Sequence, residues 1–368
     1  MAARIRVLEW ITTPLGTHGL PLYALRMAEH MPGIQADFLT WRVDEPRLEE
    51  RVKALGGQLY VVEGRLRHPL QYMFRARRLL RQQHYDLVHC HGNSCTLAME
   101  LWAAKSAGVP IRIAHSHNSH GRYPLLHRLL RPSFDRRYTR AMACSQEAGE
   151  WLFGGQPFQI APNAIDPEAF TYDEEVRREL RAQWGWEKTF VVGCVGGFTE
   201  VKNQSFLLDA FAVAQHHRPE LKLVLVGEGE LFETILARVH ALGLREHVRL
   251  TGQVPYVDRI LSAMDLLAMP SLHEGLPTAA LEAQCEGLPA LLSEDIDRAC
   301  ALTNRARFLP LKQERWIAAL RQAQPIPREE ASRQALQVVR ARGLSLTEAA
   351  LQMQQIYLKE LEAAGRWP

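Results

Sequence analysis

Short apolar runs alternate along the chain with longer segments whose apolar residues recur at helical spacing. Strands are predicted to open the segments Arg4–Trp10, Ala36–Thr40, Gln58–Val62, Asp86–Gly92, Ile111–Asn118, Thr139–Ser145, Gln159–Asp166, Phe190–Asn203, Leu221–Glu230, Val248–Pro255, Leu266–Met269, Ala290–Ile296 and Ala306–Pro310. Helices are predicted at Leu20–His30, Glu45–Leu55, Pro69–Gln83, Leu125–Arg131, Asp173–Glu187, Asp258–Met264, Glu314–Gln322 and Leu346–Ala364. Two further helices are predicted, one that begins near Asn203 and another that ends near Leu242.

This alternation of strand and helix is typical of α/β proteins with parallel sheets. A chain of 368 residues is long for one core and predicts two domains, and two Rossmann-like halves fit the pattern. Ligands of such folds bind beyond the carboxyl ends of the strands. Candidate chemistry is therefore expected in the loops that follow the strands.

Composition places the chain among soluble globular proteins. Hydrophobic residues make up 47% and charged residues 23%, and no apolar run approaches the roughly 18 residues of a membrane-spanning helix. The amino terminus lacks the apolar region of a signal peptide, which predicts a cytoplasmic location. The six cysteines have no metal-ligand spacing and are expected to be reduced and buried.

The net charge of +3 is unevenly distributed. Residues 1–170 hold 21 Lys and Arg against 15 Asp and Glu, whereas the remainder holds 23 against 26. The first half is therefore expected to meet an anionic partner. Nucleic acid is excluded, because the basic residues do not form a dense stripe interleaved with aromatics. The basic helices Pro69–Gln83 and Leu125–Arg131 are either solvated faces or contacts for anionic lipid at the inner face of the membrane.

The most informative segment is Pro270–Pro289. An apolar strand leads there into a loop holding Glu274, and a helix is predicted from Pro277 or Thr278 to the glycine at 287, since proline suits a helix start. N–H groups at a helix start attract phosphate, and Glu282, deeper in the helix, can accept hydrogen bonds from sugar hydroxyls. The pairing indicates a nucleotide sugar. The alternative is a solvated loop acid and an exposed helix residue.

A second phosphate cradle is predicted in Phe190–Asn203. A strand, a glycine turn and a helix beginning near Asn203 follow one another, and Lys202 supplies a positive charge.

Histidines occupy two predicted strand ends. His89 and His91 alternate on one strand, and His115 and His117 end the next. Such histidines could hydrogen-bond a sugar or serve a structural role. No third ligand follows at a usual spacing, so no metal is predicted.

These segments resemble the retaining glycosyltransferases of family 4, which have the GT-B fold. The shared features are two glutamates separated by seven residues, namely Glu274 within His273-Glu-Gly-Leu-Pro277 and Glu282 beyond it, and the run Arg112-Ile-Ala-His-Ser-His-Asn118, typical of the capsular and exopolysaccharide branch. The resemblance implies two Rossmann-like, doubly wound domains facing a central cleft. Their expected bounds are 1–170 for the acceptor domain and 171–345 for the nucleotide-sugar domain, with a helix in 346–368 crossing back to the first.

The resemblance also implies roles for individual residues. Catalysis is assigned to Glu274 and His117, with His115 as the alternative to His117. Donor binding is assigned to Gly197, Lys202, Asn203, Gln253, Val254, Glu274, Gly275, Leu276, Pro277 and Glu282, and the acceptor side to Gly19, His91, Asn118 and His120. The first loop departs from the family, keeping only Gly19 of a usual Gly-Gly pair, and Gly197 stands where the family has an arginine.

The function so implied is transfer of a hexose or N-acetylhexosamine, with retention, from a nucleotide diphosphate sugar that is UDP-linked to a glycan or lipid-linked acceptor. Neither metal nor cofactor is expected. One alternative is a non-catalytic nucleotide-sugar-binding or scaffold protein of the same fold, disarmed at Gly197 and the first loop. Another is a phosphorylase or sugar epimerase, which would need phosphate or would isomerise the sugar without an acceptor.

Overall fold

The computed structural model describes residues 5–16, 19–121 and 123–366. The chain forms two compact units. The first unit comprises Met1–Ala164 together with Leu346–Pro368, and the second comprises Ile165–Ser345.

The first boundary lies earlier than the predicted one after residue 170. Ile165 belongs to the second unit because its N–H donates to the carbonyl of Leu344 at 3.0 Å and its backbone pairs with Ser345. The second unit ends at Ser345, and the chain then returns to the first unit.

The strands of the described residues form one parallel sheet in each unit. The strands are β1 Ile5–Ile11, β2 Ile34–Thr40, β3 Leu59–Val61, β4 Leu87–His91, β5 Ile111–Ser116, β6 Arg140–Ala143, β7 Gln159–Ile160, β8 Phe190–Val195, β9 Leu221–Val226, β10 Val248–Leu250, β11 Leu266–Met269, β12 Ala290–Ser293 and β13 Ala306–Leu309. The order is β3-β2-β1-β4-β5-β6-β7 in the first sheet and β10-β9-β8-β11-β12-β13 in the second. Both orders reverse direction beside the first strand, as in doubly wound Rossmann-like folds.

Helices connect the strands. They are α1 Gly19–Glu29, α2 Arg47–Ala54, α3 Pro69–Gln83, α4 Ala98–Ala107, α5 Pro124–Phe134, α6 Gln146–Phe153, α7 Glu174–Trp184, α8 Gln204–His217, α9 Phe232–Ala241, α10 Val257–Ala263, α11 Thr278–Cys285, α12 Gln313–Gln322, α13 Arg328–Ala341 and α14 Leu346–Ala363. None of those in the described ranges is long and apolar enough to cross a membrane.

Local signals explain several helix ends. The side chain of Ser145 accepts a hydrogen bond from the amide of Ala148 at the start of α6, and Asp173 does the same for α7. The helix α11 has the predicted bounds, because Pro277 precedes it and Gly287, at φ +75°, follows it.

The helix α13 was not predicted. Its buried residues Ala331, Ala335 and Val339 recur every four positions, which is a helical signal. The signal is weak because charged residues surround it and prolines precede it, and packing of α13 against α11 completes the helix.

Each unit has its own apolar core. In the first, α14 contributes Met353, Tyr357 and Leu361 to a cluster that also holds residues of β1, β2 and α1. In the second, Trp316 of α12 packs with residues of α8, β8 and β9. All six cysteines are buried and free, as expected.

A carboxyl group is buried where α11 meets α13. Glu286 is fully buried, its Oε2 accepts a hydrogen bond from Ser262 at 2.7 Å, and Arg328 Nη2 lies 3.7 Å away. Its Oε1 has no hydrogen-bond partner. Burial raises the pKa of Glu286 to about 8, despite these neighbours.

This raised pKa predicts a pH-dependent stability. The folded protein holds the Glu286 proton more tightly than the unfolded chain, so this contribution is complete below the ordinary value of 4.5 and is lost as pH rises to about 8. The variant Glu286→Gln has no ionisable group at this position, so it does not lose this stability as the pH rises. Its melting temperature relative to wild type should rise by several degrees between pH 5 and pH 8.5. A difference that stays constant over this range would contradict the assignment, and the exposed Glu187→Gln serves as the control that should show no trend.

Candidate functional site

In the loop after β8, the side chain of Lys202 packs against the backbone of Gly196. Gly196 has φ +151°, and a Cβ atom there would lie 2.9 Å from Lys202 Cε, so the lysine stem occupies the place of a side chain. Asn203 adopts the left-handed conformation at φ +54° and precedes α8. Its side-chain amide donates to the carbonyl of Pro270 at 3.1 Å, which ties this loop to the end of β11.

The fold brings Lys202 and Glu274 into contact, as expected if both residues bind the same ligand. Lys202 Nζ forms an ion pair with Glu274 Oε1, and Ser271 Oγ donates to the same oxygen at 3.0 Å. The backbone of Glu274 is fixed on both sides, since its N–H donates to Asp295 O at 3.3 Å and its carbonyl accepts from Asp297 at 3.0 Å. The backbone of Glu274 is therefore fixed, and its carboxylate is bonded by Lys202 and Ser271.

Neither carboxylate is largely exposed, which contradicts the alternative of a solvated loop acid and an exposed helix residue. The side chain of Glu274 is 13% exposed and Glu282 is 6% exposed. Glu282 lies in the second turn of α11, and Gly275, Leu276 and Pro277 form the buried approach to that helix. The residue that precedes α11, Pro277, has no side chain that can cap the first amides of the helix.

The remaining donor candidates lie at the carboxyl ends of β8 and β10. Gly197 accepts a hydrogen bond from Gln204 at 3.0 Å, and a Cβ atom added to Gly197 would meet Glu228 O at an ordinary 3.5 Å. The fold therefore does not require glycine where the family has arginine. Gln253 and Val254 follow the glycine at 252, whose carbonyl accepts from the loop after β9 at 3.0 Å.

The histidines of the first unit form a cluster within the sheet. Because β4 and β5 are neighbours with His91 opposite His115, the alternation of side chains puts all four histidines on one face. His89 Nε2 lies 3.1 Å from His115 Nδ1, and His91 Nδ1 lies 2.9 Å from His117 Nε2.

Two residues that sequence reasoning missed complete this cluster. Glu9 of β1 lies with Oε2 at 2.6 Å from His91 Nε2, and Tyr357 of α14 donates to Glu9 Oε1 at 3.1 Å. Tyr357 OH is also 2.6 Å from His89 Nδ1. A glutamate within the apolar strand β1 is a signal that could have been noticed, whereas nothing local marks Tyr357.

The imidazoles of His89, His115 and His117 are neutral at neutral pH. Burial is the main reason that the pKa values of His89, His115 and His117 fall well below the ordinary value, and positive charge on neighbouring imidazoles lowers them further.

The reason given for expecting no metal was wrong. The adjacent strand supplies the third histidine, and His89, His91 and His115 each place one nitrogen within 4.8 Å of the others. That no metal is used stays a prediction.

The acceptor-side candidates lie on different elements of the first unit. His91 is 1% exposed and its two nitrogens are bonded, so it does not reach the surface of its unit. Gly19 starts α1 with open space beside it, and His120 stacks on Trp151 with ring centroids 5.8 Å apart. Asn118 Oδ1 is buried without a hydrogen-bond partner. The loop residue at position 18 lies outside the described residues.

Two family models match the chain. One described as Glycosyltransferase Family 4 matches residues 18–169, and one described as Glycosyl transferases group 1 matches residues 176–303.

Similar proteins are named as glycosyltransferases. The chain is 33% identical over 277 residues to the Bacillus subtilis strain 168 protein named as glycosyltransferase EpsF, covering 72% of each. It is 27% identical over 245 residues to the Escherichia coli UDP-Gal:alpha-D-GlcNAc-diphosphoundecaprenol alpha-1,3-galactosyltransferase, covering 62% of each. Anabaena HepE in complex with UDP and glucose superposes with a TM-score of 0.78 at 18% identity, over 96% of this chain and 99% of that one. Identity this low shows the fold alone.

Proposed function

Because this chain belongs to glycosyltransferase family 4 and has the GT-B fold, we propose that it transfers a hexose or N-acetylhexosamine from a UDP-sugar to a glycan or lipid-linked acceptor. The setting is the synthesis of a surface polysaccharide, and the anomeric configuration is retained. The observation that carries the proposal is the ion pair between Lys202 and Glu274 in the loop that precedes α11.

Exchange of partners at this pair accounts for donor binding. The oxygens of a diphosphate accept hydrogen bonds from Lys202, which frees Glu274 to accept from hydroxyls of the sugar. Glu282 binds the ribose hydroxyls, and the loop 275–277 lines the diphosphate. Gly197 and Asn203 border the same group, whereas Gln253 and Val254 border the base.

The same groups act on the leaving diphosphate. Negative charge develops on it as the glycosidic bond breaks, and Lys202 and the first amides of α11 stabilise that charge. The lysine and the helix start supply the positive charge, so the proposal contains neither a metal nor a cofactor. His117 donates or accepts a hydrogen bond at the sugar.

The choice of UDP is supported by two of the comparisons. The Escherichia coli relative is named for UDP-Gal and for a diphosphoundecaprenol acceptor, and HepE was crystallised with UDP and glucose. A lipid-linked acceptor fits the surface of α5. Leu125 and Leu129 are 75% and 77% exposed there, and Arg128 is exposed between them. We propose that this helix contacts an anionic membrane surface.

The direct test is a panel of nucleotide sugars with the purified protein, reading release of nucleoside diphosphate and thermal shift together. Wild type should release diphosphate from one UDP-sugar. Glu274→Ala should lower turnover at least about 100-fold, while UDP binding is kept because Lys202 is then no longer neutralised. Unchanged turnover would remove Glu274 from the site, and Glu314→Ala, an exposed acid of α12, is the control. Stabilisation without release from any donor, with lipid-linked acceptor present, would favour the non-catalytic binding protein.

The open position at Gly197 gives a second prediction. Gly197→Arg should place a guanidinium at the diphosphate and tighten UDP binding by about 10-fold or more, the strength of one charge-assisted hydrogen bond. Calorimetric titration measures the change. The control Gly197→Ala adds only a methyl group in ordinary contact and should leave the affinity unchanged. Equal affinity for the arginine and alanine variants would show that Gly197 does not border the diphosphate.

The membrane contact is tested by sedimentation with vesicles containing phosphatidylglycerol. Binding should weaken with added salt, and Leu125→Ser with Leu129→Ser should reduce it at least about 10-fold, since two exposed leucines lose their burial in lipid. Leu351→Ser, an exposed leucine of α14, is the matched control. Equal binding by the double variant and wild type would exclude α5 as the contact.

A further inference from the structure

Glu9 and His91, which form a hydrogen-bonded line with His117, have no role in the function proposed so far. We propose that Glu9 and His91 are positioning residues, which fix the proton of His117 on Nε2 and hold its ring in place. The inference rests on the proposed function in so far as His117 acts at the sugar.

The line runs from the interior of the sheet outwards. Glu9 on β1 is 2% exposed, and His91 on the neighbouring strand β4 is 1% exposed. His117, which directly follows β5, is partly exposed. The two links are 2.6 Å from Glu9 Oε2 to His91 Nε2 and 2.9 Å from His91 Nδ1 to His117 Nε2. His117 is therefore the member of the line that can touch a ligand.

The protons follow from the chemistry of the partners. A carboxylate only accepts, so His91 donates its Nε2 proton to Glu9. With the ring of His91 uncharged, its lone pair lies on the other nitrogen, and His91 Nδ1 then accepts from His117 Nε2. The lone pair of His117 is thereby placed on Nδ1. This nitrogen lies 3.4 Å from Asn163 Oδ1, so the proposed tautomer requires the amide of Asn163 to be turned over, with its NH₂ group donating to Nδ1.

A second arm holds Glu9 itself. Tyr357 donates to Glu9 Oε1 at 3.1 Å and lies 2.6 Å from His89 Nδ1, and His89 Nε2 lies 3.1 Å from His115 Nδ1. Both oxygens of Glu9 are thus engaged by residues from different elements. The carboxylate cannot turn away from His91 without breaking these contacts.

The hydrogen bonds within the cluster disfavour a metal ion among these histidines. In this arrangement the lone pairs of His89 and His91 accept hydrogen bonds from His115 and His117, so an ion would have to break both links. Of the described nitrogens in the cluster, His115 Nε2 is the one that is buried without a hydrogen-bond partner. A single such nitrogen does not make a metal site.

Several titratable groups surround His117, and a pH profile of turnover reflects all of them. The groups that face the cluster are Glu9 on β1, Tyr23 on α1, His89 and His91 on β4, His115 on β5 and Tyr357 on α14. Tyr23 stacks edge-on against His117 with ring centroids 4.9 Å apart, and burial raises its pKa beyond the range in which it ionises. Glu9 is the acid among these groups.

The test is Glu9→Gln, which keeps the size and both hydrogen-bonding positions. An amide can present either its oxygen or its NH₂ group to His91, so the proton of His117 is no longer fixed. Turnover should fall about 10- to 100-fold, as when an outer partner of a functional histidine is removed, with KM for the donor within about twofold. The fall of kcat on the acidic side of its pH profile should move to lower pH. The reason is that the Glu9 carboxylate, which favours a protonated imidazole, is gone.

A purely structural carboxylate gives a different result. Glu100 of α4 is fully buried and bonds Arg65 at 2.9 Å, and within the described part of the chain no hydrogen bond joins it to the histidines. Glu100→Gln should lower the melting temperature and leave kcat and its pH profile unchanged. If Glu9→Gln behaves like Glu100→Gln, with lower stability and an unchanged profile, the inference is wrong while the proposed function stands.

A readout that needs no turnover separates the two proposals further. In protein labelled with ¹⁵N-histidine, two-bond ¹H–¹⁵N correlations show which nitrogen of His117 carries the proton, with His117→Asn identifying the signal. Wild type should show the proton on Nε2, and Glu9→Gln should show a mixture. A proton on Nδ1 in wild type, or a stoichiometric metal in the purified protein, would overturn the inference whatever the donor panel shows.

Discussion

Burial of the parallel sheets leaves polar side chains on their strands without water, so each must find its partner within the protein. All five residues of β4 are buried although two are histidines, and Glu9, His115 and Tyr357 supply their partners. In the second unit, Asp265 at the start of β11 is held by Arg181 and by a backbone amide of β8. These bonds connect strands and helices that are far apart in the sequence.

Polar groups at the carboxyl ends of the strands are under a weaker constraint. They are near solvent, and their partners can be exchanged for a ligand. Lys202 and Glu274 neutralise one another in the second unit, while His117 lies at the outer end of a buried line in the first. A rigid interior with exchangeable charges at its edge suits a site in which the transferred group changes partners during the reaction.

Sequence reasoning was strongest where the signal was local. The strands, the bounds of α11 and the loop containing Glu274 follow from apolar runs, a proline and a glycine that act within a few residues. It failed where partners are distant. The third histidine came from the neighbouring strand, Tyr357 from the last helix, and α13 from packing on α11. No spacing within one segment contains that information.

The central claim is that the loop after β8 and the start of α11 bind a nucleoside diphosphate. Calorimetric titration of UDP into wild type and Lys202→Met tests it most directly, since the variant keeps the stem that covers Gly196 and loses only the charge. Wild type should bind UDP, and the variant should bind it at least about 10-fold more weakly. Equal affinity in the two proteins would place the diphosphate elsewhere and contradict the account.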